Sequence, residues 1–174
     1  MNGEDSRQIM AFIDLHGHSR KKSSFIYGPY YPLHSNKYLK IRVMAKLLSD
    51  ATEMFRYYSC KFKTEAYKQN CARLSVWRKF RVMNSFTLEA SMHGFIQEIT
   101  KVSKNGVGME QIERKRITRP FKEKNLMKIG NKVAEMLQEY QELMEEERKR
   151  REARALELKA KKKKPRVLEF LRKN

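Results

Sequence analysis

The stretch that decides the fold is residues 11–22, which read AFIDLHGHSRKK. An apolar core typical of a strand ends in two histidines, His16 and His18, with Asp14 two residues before the first. Side chains of a strand alternate between its faces, so these three polar side chains share one face. Neutral imidazole is the commonest metal ligand, and a neighbouring carboxylate fixes its tautomer. The stretch is therefore a candidate metal site. The alternative is that the two histidines are ordinary surface or hydrogen-bonded polar residues that bind no metal.

A second strand-like run, residues 84–91, reads NSFTLEAS. Its alternation predicts one apolar face and one polar face, and the polar face carries Thr87 and Glu89. A carboxylate near the end of a strand can act as a general base where it faces a metal-bound water. Glu89 is therefore a candidate base.

These runs and two shorter stretches resemble the cytosolic carboxypeptidases, the zinc metallocarboxypeptidases that trim glutamates from tubulin tails. The family pattern is a DxHGHSRKK strand, a nearby FxYG, and a WR followed by NS(Y/F)TxEA. This chain has FIYG at residues 25–28 and WR at residues 77–78, in the same order and at similar spacing. The resemblance extends over residues 9–142 and corresponds to the second half of the catalytic domain. It implies an α/β fold with a partial zinc-carboxypeptidase-like mixed sheet flanked by helices.

The resemblance implies a role for each matching residue. His16 would be the histidine ligand of one zinc ion, and Glu89 the general base that activates the zinc-bound water. Asp14 and His18 would hydrogen-bond around the site without being the matching ligand. If the fold is as implied, His16 and Glu89 approach one another across one sheet.

Arg73 would bind the substrate. It stands where the family carries the arginine that pairs with the acidic side chain of the last substrate residue. A planar guanidinium suits that task because it pairs bidentately with a carboxylate. The glycine-rich lead into this arginine is replaced here by KQNC at residues 68–71, which departs from the family pattern.

The implied zinc site is incomplete in this sequence. The family takes a further histidine and a glutamate from an HxxE element, and none of the four histidines here is followed three residues later by Glu. A catalytic zinc takes three protein ligands and keeps one position for water. Either the chain is a truncated or split gene product, or it has lost catalysis and kept another use.

Two functions follow from the resemblance. The first is removal of C-terminal glutamates from acidic protein tails such as those of tubulin, with zinc polarising the scissile carbonyl and Glu89 taking a proton from the bound water. A chain carrying the missing half-domain would then be a partner. The second is a non-catalytic basic interaction or structural protein, microtubule-binding, derived from the same fold. We expect a cytoplasmic location, with the cytoskeleton or cilium as the finer prediction.

The charge of the chain favours acidic partners. It carries 39 Lys and Arg against 20 Asp and Glu, a formal net charge of +19. Strongly basic chains bind polyanions, and the absence of aromatic-rich RNA-reading motifs disfavours nucleic acid here. No run of eighteen apolar residues and no signal peptide is present, which disfavours a membrane partner and a secretory route. The two cysteines are therefore expected to be free thiols in a reducing compartment.

Composition and periodicity predict two regions, residues 1–143 as the half-domain and residues 144–174 as a charged basic tail, helical or disordered. The predicted elements are strands at residues 9–16, 25–27, 62–66, 72–77 and 85–90, helices at residues 39–58 and 121–143, a loop or insertion at residues 101–119, and an exposed helical continuation over residues 145–164 before Pro165.

Overall fold

The structure is a computed structural model that describes residues 9–64, 70–104 and 110–163. Its mixed sheet with flanking helices confirms the predicted α/β class. The elements are, in chain order, β1 (Ala11–His18), β2 (Ser24–Gly28), α1 (Lys37–Ala51), β3 (Lys61–Phe62), α2 (Ala72–Phe80), β4 (Asn84–Ser91), β5 (Phe95–Lys104), β6 (Glu110–Arg119) and α3 (Glu123–Lys163), with a short 3-10 helix at Tyr57–Ser59.

The main sheet has four strands in the order β1, β4, β2, β3, so β1 is an edge strand among the described residues. β1 and β4 run parallel, and their register extends from Ala11 opposite Asn84 to His18 opposite Ser91. β2 runs antiparallel to β4, and β3 runs parallel to β2. The two runs singled out in the sequence are therefore neighbouring strands, predicted within one or two residues of their ends.

The core lies around the two central strands. Phe25 and Ile26 of β2 and Phe86 of β4 are almost completely buried. α1 adds a stripe of buried residues at helical spacing: Ile41, Met44, Ala45 and Leu48. Burial of each large side chain contributes about 1.5–3 kcal/mol. This core therefore fixes the strands that carry or border the functional side chains.

α1 ends at Ala51, and the predicted helix over residues 39–58 was wrong beyond that point. The backbone that follows pairs with β2 instead. Ser24 N–H donates to the Met54 carbonyl at 2.8 Å, and Arg56 N–H donates to the Ser24 carbonyl at 2.8 Å. The helical spacing of the apolar residues continues into this segment, but Met54 reaches the core from a turn and Phe55 from an isolated β-bridge to Ser24.

The strand predicted for residues 72–77 was also wrong, because the segment forms α2. A short apolar run does not distinguish a strand from a buried helix turn. α2 carries two basic residues in its last turn, where positive charge interacts favourably with the negative end of the helix dipole. The helix ends at Phe80, and Arg81 after it has the left-handed conformation (φ 58°). The strand predicted for residues 62–66 shortens to Lys61–Phe62, and its last two residues lie outside the described ranges.

Most of the segment predicted as a loop or insertion, residues 101–119, belongs to a β-hairpin, so the loop alternative was wrong. β5 and β6 pair antiparallel over ten residue pairs, from Phe95 opposite Arg119 to Lys104 opposite Glu110. Charged side chains occupy both faces of this two-stranded ribbon, and even Val102 and Ile112 are more than half exposed. The usual alternation of a half-buried strand is therefore missing from the sequence.

α3 contains the predicted last helix and the predicted charged continuation, which are one helix of 41 residues. The chain divides into two compact units, Met1–Met136 and Leu137–Asn174. The assignment of residues 144–174 as a separate functional region stays a prediction. None of the described helices is both long enough and apolar enough to cross a membrane.

Candidate active site

The register of the sheet places His16 directly opposite Glu89. Asp14 is likewise opposite Thr87, one pair earlier along the same two strands. Paired residues on adjacent parallel strands point to the same face, and the strands lie about 4.8 Å apart. The four side chains therefore share one face of the sheet, which is the arrangement expected for a ligand and a base that act together.

Asp14 orients the imidazole of His16. The Nε2 atom of His16 lies 3.2 Å from the Oδ2 atom of Asp14. In the neutral tautomer with the proton on Nε2, His16 donates this hydrogen bond and keeps the lone pair of Nδ1 for a metal. Carboxylate–histidine pairs of this kind fix the tautomer and raise the basicity of metal-ligating histidines. The His16 side chain is 55 % exposed, so a group from outside the described residues can reach it.

Glu89 is buried, with only 7 % of its surface exposed. Its Oε2 atom is fully buried and has no hydrogen-bond partner among the described residues. A buried polar atom left without a partner costs about 1–3 kcal/mol, and more when the group is charged. The Oε2 oxygen of Glu89 is therefore free to accept a hydrogen bond from a bound group.

α2 presents Arg73 to the same face. The side chain is 5 % exposed, and its Nη1 donates to the Oγ1 of Thr87 at 3.2 Å. Ser85 fixes the helix start by donating from Oγ to the Arg73 carbonyl at 2.6 Å. The guanidinium carbon lies 5.6 Å from the centroid of the Tyr27 ring. Arg73 Nε has no partner within the described ranges, so the guanidinium keeps a donor for a carboxylate.

His18 and His93 hold the loops beside the site. The Nδ1 atom of His18 accepts hydrogen bonds from the backbone N–H groups of Arg20 (3.1 Å) and Lys21 (3.0 Å). The Nε2 atom of His93 lies 2.6 Å from the Ser19 carbonyl and donates to it in the tautomer that bears the proton there. His18 thus hydrogen-bonds the turn after β1, while the contribution of His93 was missed because only the fold brings it to Ser19.

A complete metal site is not formed by this part of the chain. No group of three or more His, Cys, Asp or Glu side chains suitable for a metal occurs among the described residues. A catalytic zinc needs three protein ligands. His16, with Asp14 beside it, is the candidate for one ligand of such a set, and that role stays a prediction. The described residues therefore do not fit a zinc ion by themselves.

The opposite face of the sheet bears an apolar cleft that the sequence analysis did not predict. Its volume is about 750 Å³, and it lies between the β1 edge and the first turns of α3. Leu15 and Met92, both more than 70 % exposed, stand on one side, and Ile129 and Val133 stand on the other. His16 is among the residues that line the cleft, whereas Asp14, Glu89 and Arg73 are not.

The two cysteines are free, as predicted. Burial raises the pKa of the Cys60 thiol to about 11, against an ordinary value of 9.0. Its Sγ accepts a hydrogen bond from Ile26 N–H at 3.2 Å and lies 3.6 Å from the Arg56 carbonyl. A neutral, buried thiol is a poor nucleophile and a poor metal ligand. Cys60 is therefore a packing residue.

Comparison with known proteins confirms the resemblance seen in the sequence. The chain is 36 % identical over 94 residues to cytosolic carboxypeptidase 2 of Mus musculus, which covers 52 % of this chain and 10 % of the relative. It is 35 % identical over 92 residues to the Homo sapiens protein of the same name, again 52 % of this chain and 10 % of the relative. The chain thus spans about a tenth of the length of these relatives. No family model matches it.

The fold agrees with this relationship. A metallo-carboxypeptidase from Burkholderia cenocepacia superposes with a TM-score of 0.53, covering 78 % of this chain and 31 % of that structure, at 14 % identity. At this identity the likeness concerns the fold alone. The described residues therefore share the fold of part of a metallo-carboxypeptidase.

Proposed function

We propose that this chain is one part of a zinc metallocarboxypeptidase that removes C-terminal glutamates from acidic protein tails such as those of tubulin. The observation that carries the proposal is the pairing of His16 with Glu89 across β1 and β4. A histidine, the residue type that most often ligates metals, thus lies beside a buried carboxylate that has an unpartnered oxygen. The relatives named as carboxypeptidases support the reaction class.

Each of the matching residues has one task in this proposal. Glu89 accepts a proton from the attacking water on its unpartnered oxygen. Asp14 keeps His16 in the tautomer that leaves Nδ1 free. Arg73 pairs with the carboxylate of a terminal glutamate side chain, since charge-assisted hydrogen bonds to arginine are strong and geometrically selective.

The remaining zinc ligands come, in this proposal, from polypeptide outside this sequence. The described residues supply one histidine, and β1 is an edge strand that can accept a further strand. An HxxE-bearing segment, on a longer product or on a partner chain, would complete the set. Relatives named cytosolic support a cytoplasmic location. The substrate that fits this location is an acidic cytoskeletal polymer, in the cytoplasm or in a cilium.

Release of glutamate tests the proposal. The chain is joined to the HxxE-bearing segment of a cytosolic carboxypeptidase and incubated with zinc and a peptide that ends in several glutamates. We expect Glu89→Gln to abolish glutamate release while the fold and the bound zinc remain, because only the base is removed. Glu98→Gln, an exposed change in β5, is the matched control and should leave the rate unchanged. Unchanged release by Glu89→Gln contradicts the assigned base.

A second function is favoured by the incomplete ligand set. The chain would then be a non-catalytic basic protein that binds acidic partners such as microtubules. In that case the joined polypeptide binds zinc no better than the lone chain, and neither cleaves an acidic peptide. The glutamate-release assay and zinc titration separate the two functions.

A further inference from the structure

The two ends of the main sheet differ in how they are protected against pairing with another strand. One end is β3, which has only two residues and begins with Lys61. The other end is β1, which has eight residues, Ala11–His18. Natural proteins protect edge strands by keeping them very short or by placing Lys, Pro or a bulge in them. β3 has two of these features and is therefore a protected edge.

β1 has none of these protective features. Its sequence, AFIDLHGH, contains no Lys and no Pro, and its register with β4 continues pair by pair along the whole strand, without a bulge. Within the described ranges, β4 is the one strand paired with β1. Leu15, His16 and Gly17, in the second half of the strand, are exposed. The backbone groups on the outer side of β1 are therefore open to a further strand.

The sequence of β1 is complementary to a second copy of itself. When two β1 strands pair antiparallel with Leu15 opposite Leu15, Asp14 of each copy lies opposite His16 of the other. On both sides of the two-fold axis, a carboxylate then faces an imidazole, with which it can hydrogen-bond. On the other face of the strands, Ile13 lies opposite Gly17, so a large side chain meets a residue that has none. The pairing therefore opposes no like charges and no two bulky groups at these positions.

The neighbouring registers fit less well. With Asp14 opposite Asp14, two carboxylates are opposed, and like charges directly opposite destabilise a strand pair. With His16 opposite His16, only residues 14–18 of each β1 pair with one another, whereas the Leu15 register pairs residues 12–18. The side chains therefore specify one register, and the two copies contribute the same surface, as in the isologous interface of a two-fold symmetric dimer.

The exposed apolar side chains beside this edge also favour a second copy. Leu15 is 71 % exposed and Met92 is 73 % exposed, and both line the apolar cleft. Opposed side chains of an antiparallel pair have their Cβ atoms about 4.5–5.5 Å apart, so Leu15 of the second copy would pack against Leu15 of the first. Both leucines would then lose contact with water, which favours association.

We propose that the free edge of β1 pairs antiparallel with β1 of a second copy, so that two four-stranded sheets become one continuous sheet in a symmetric dimer. This inference goes beyond the proposed peptidase function, because the pairing requires neither zinc nor a substrate. It also gives the edge an occupant when no HxxE-bearing polypeptide is present, and that polypeptide would compete with the second copy for β1.

Sedimentation velocity of the full chain over a range of concentrations tests this proposal. Chelator is present throughout, so a failure of the proposed metal site does not affect the result. We expect a monomer–dimer equilibrium that Leu15→Lys weakens about tenfold or more, because it places two like charges opposite one another at the two-fold axis. The matched control is Leu39→Lys in α1, which makes the same change at a residue that is 72 % exposed and should leave the dimer intact.

Circular dichroism verifies that both variants keep their fold, as expected for changes at exposed residues. A chain that stays monomeric at every concentration would overturn the proposal. A dimer that Leu15→Lys leaves intact, or that both variants weaken equally, would overturn it too, because the contact would then lie elsewhere or depend on net charge alone.

Oxidative cross-linking tests the register. In the proposed dimer, Leu15→Cys places two thiols opposite one another, within the Cα separation of about 7 Å that a disulfide allows. His16→Cys is the matched control at the next exposed residue, where the two Cα atoms lie about 8 Å apart in this register. We expect Leu15→Cys to form a covalent dimer faster than His16→Cys, and faster than the unchanged chain with its two free cysteines. Faster cross-linking of His16→Cys, or none above the unchanged chain for Leu15→Cys, would overturn the proposed pairing.

Discussion

Neutralising Glu89 is expected to stabilise the protein. The carboxylate is 7 % exposed, and its Oε2 atom has no partner among the described residues. A buried polar atom without a partner costs about 1–3 kcal/mol, and more where its group is charged, so a neutral amide at this position carries the smaller penalty. Glu89→Gln keeps the shape of the side chain, so we expect the free energy of unfolding to rise by about 1–2 kcal/mol.

Urea unfolding followed by circular dichroism measures this difference. For a chain of this size, each kcal/mol added to the free energy of unfolding raises the melting temperature by about 2–4 °C. Glu98→Gln is the matched control. Glu98 is 46 % exposed and pairs with Arg116 at 3.1 Å and Arg56 at 3.5 Å, so its loss should cost less than about 1 kcal/mol. A clear loss of stability in Glu89→Gln would mean that the carboxylate has a favourable partner within this chain, and the reasoning about its unpartnered oxygen would be refuted.

Three further predictions concern single residues. Asp14→Asn in a completed metal site should weaken zinc binding about 10–100-fold by zinc titration, because the carboxylate no longer orients His16; unchanged affinity would contradict this role. The raised pKa of Cys60 means that the unfolded thiol ionises first, so stability should fall as pH rises from 9.0 towards about 11, and Cys60→Ala should flatten this part of the unfolding profile relative to wild type. Gly94→Ala should destabilise the protein by about 2 kcal/mol or more in urea unfolding, because φ is +83° and a Cβ would lie 2.0 Å from the Arg119 carbonyl oxygen; a neutral result would mean that the turn before β5 relaxes easily.

The strands that carry the site were predictable because their local patterns agree with the fold. Residues 11–18 and 84–91 contain short apolar runs with alternating side chains. The first segment forms the edge strand β1 and the second the neighbouring strand β4 of one sheet. α2 and the β5–β6 hairpin were not predicted, because one is a short apolar helix and the other a ribbon with solvated charges on both faces. In both segments the sequence period is too weak to separate helix, strand and loop.

The site was predictable in its members and less so in its contacts. The resemblance placed His16, Glu89 and Arg73 together, and their roles stay predictions. The hydrogen bond from Arg73 to Thr87 depends on the packing of α2 against β4, a tertiary relationship that neither segment encodes alone. The bond between His93 and Ser19, and the cleft beside α3, likewise arise only when distant segments meet.

Zinc binding, measured by equilibrium dialysis, tests the central claim most directly. The claim is that His16 is one ligand of a site whose other ligands lie outside this sequence. We expect the lone chain to bind zinc weakly, and the chain joined to an HxxE-bearing segment to bind one ion tightly, with His16→Ala abolishing that binding and His93→Ala leaving it intact. Tight one-to-one binding by the lone chain, or binding by the joined chain that survives His16→Ala, would contradict the account.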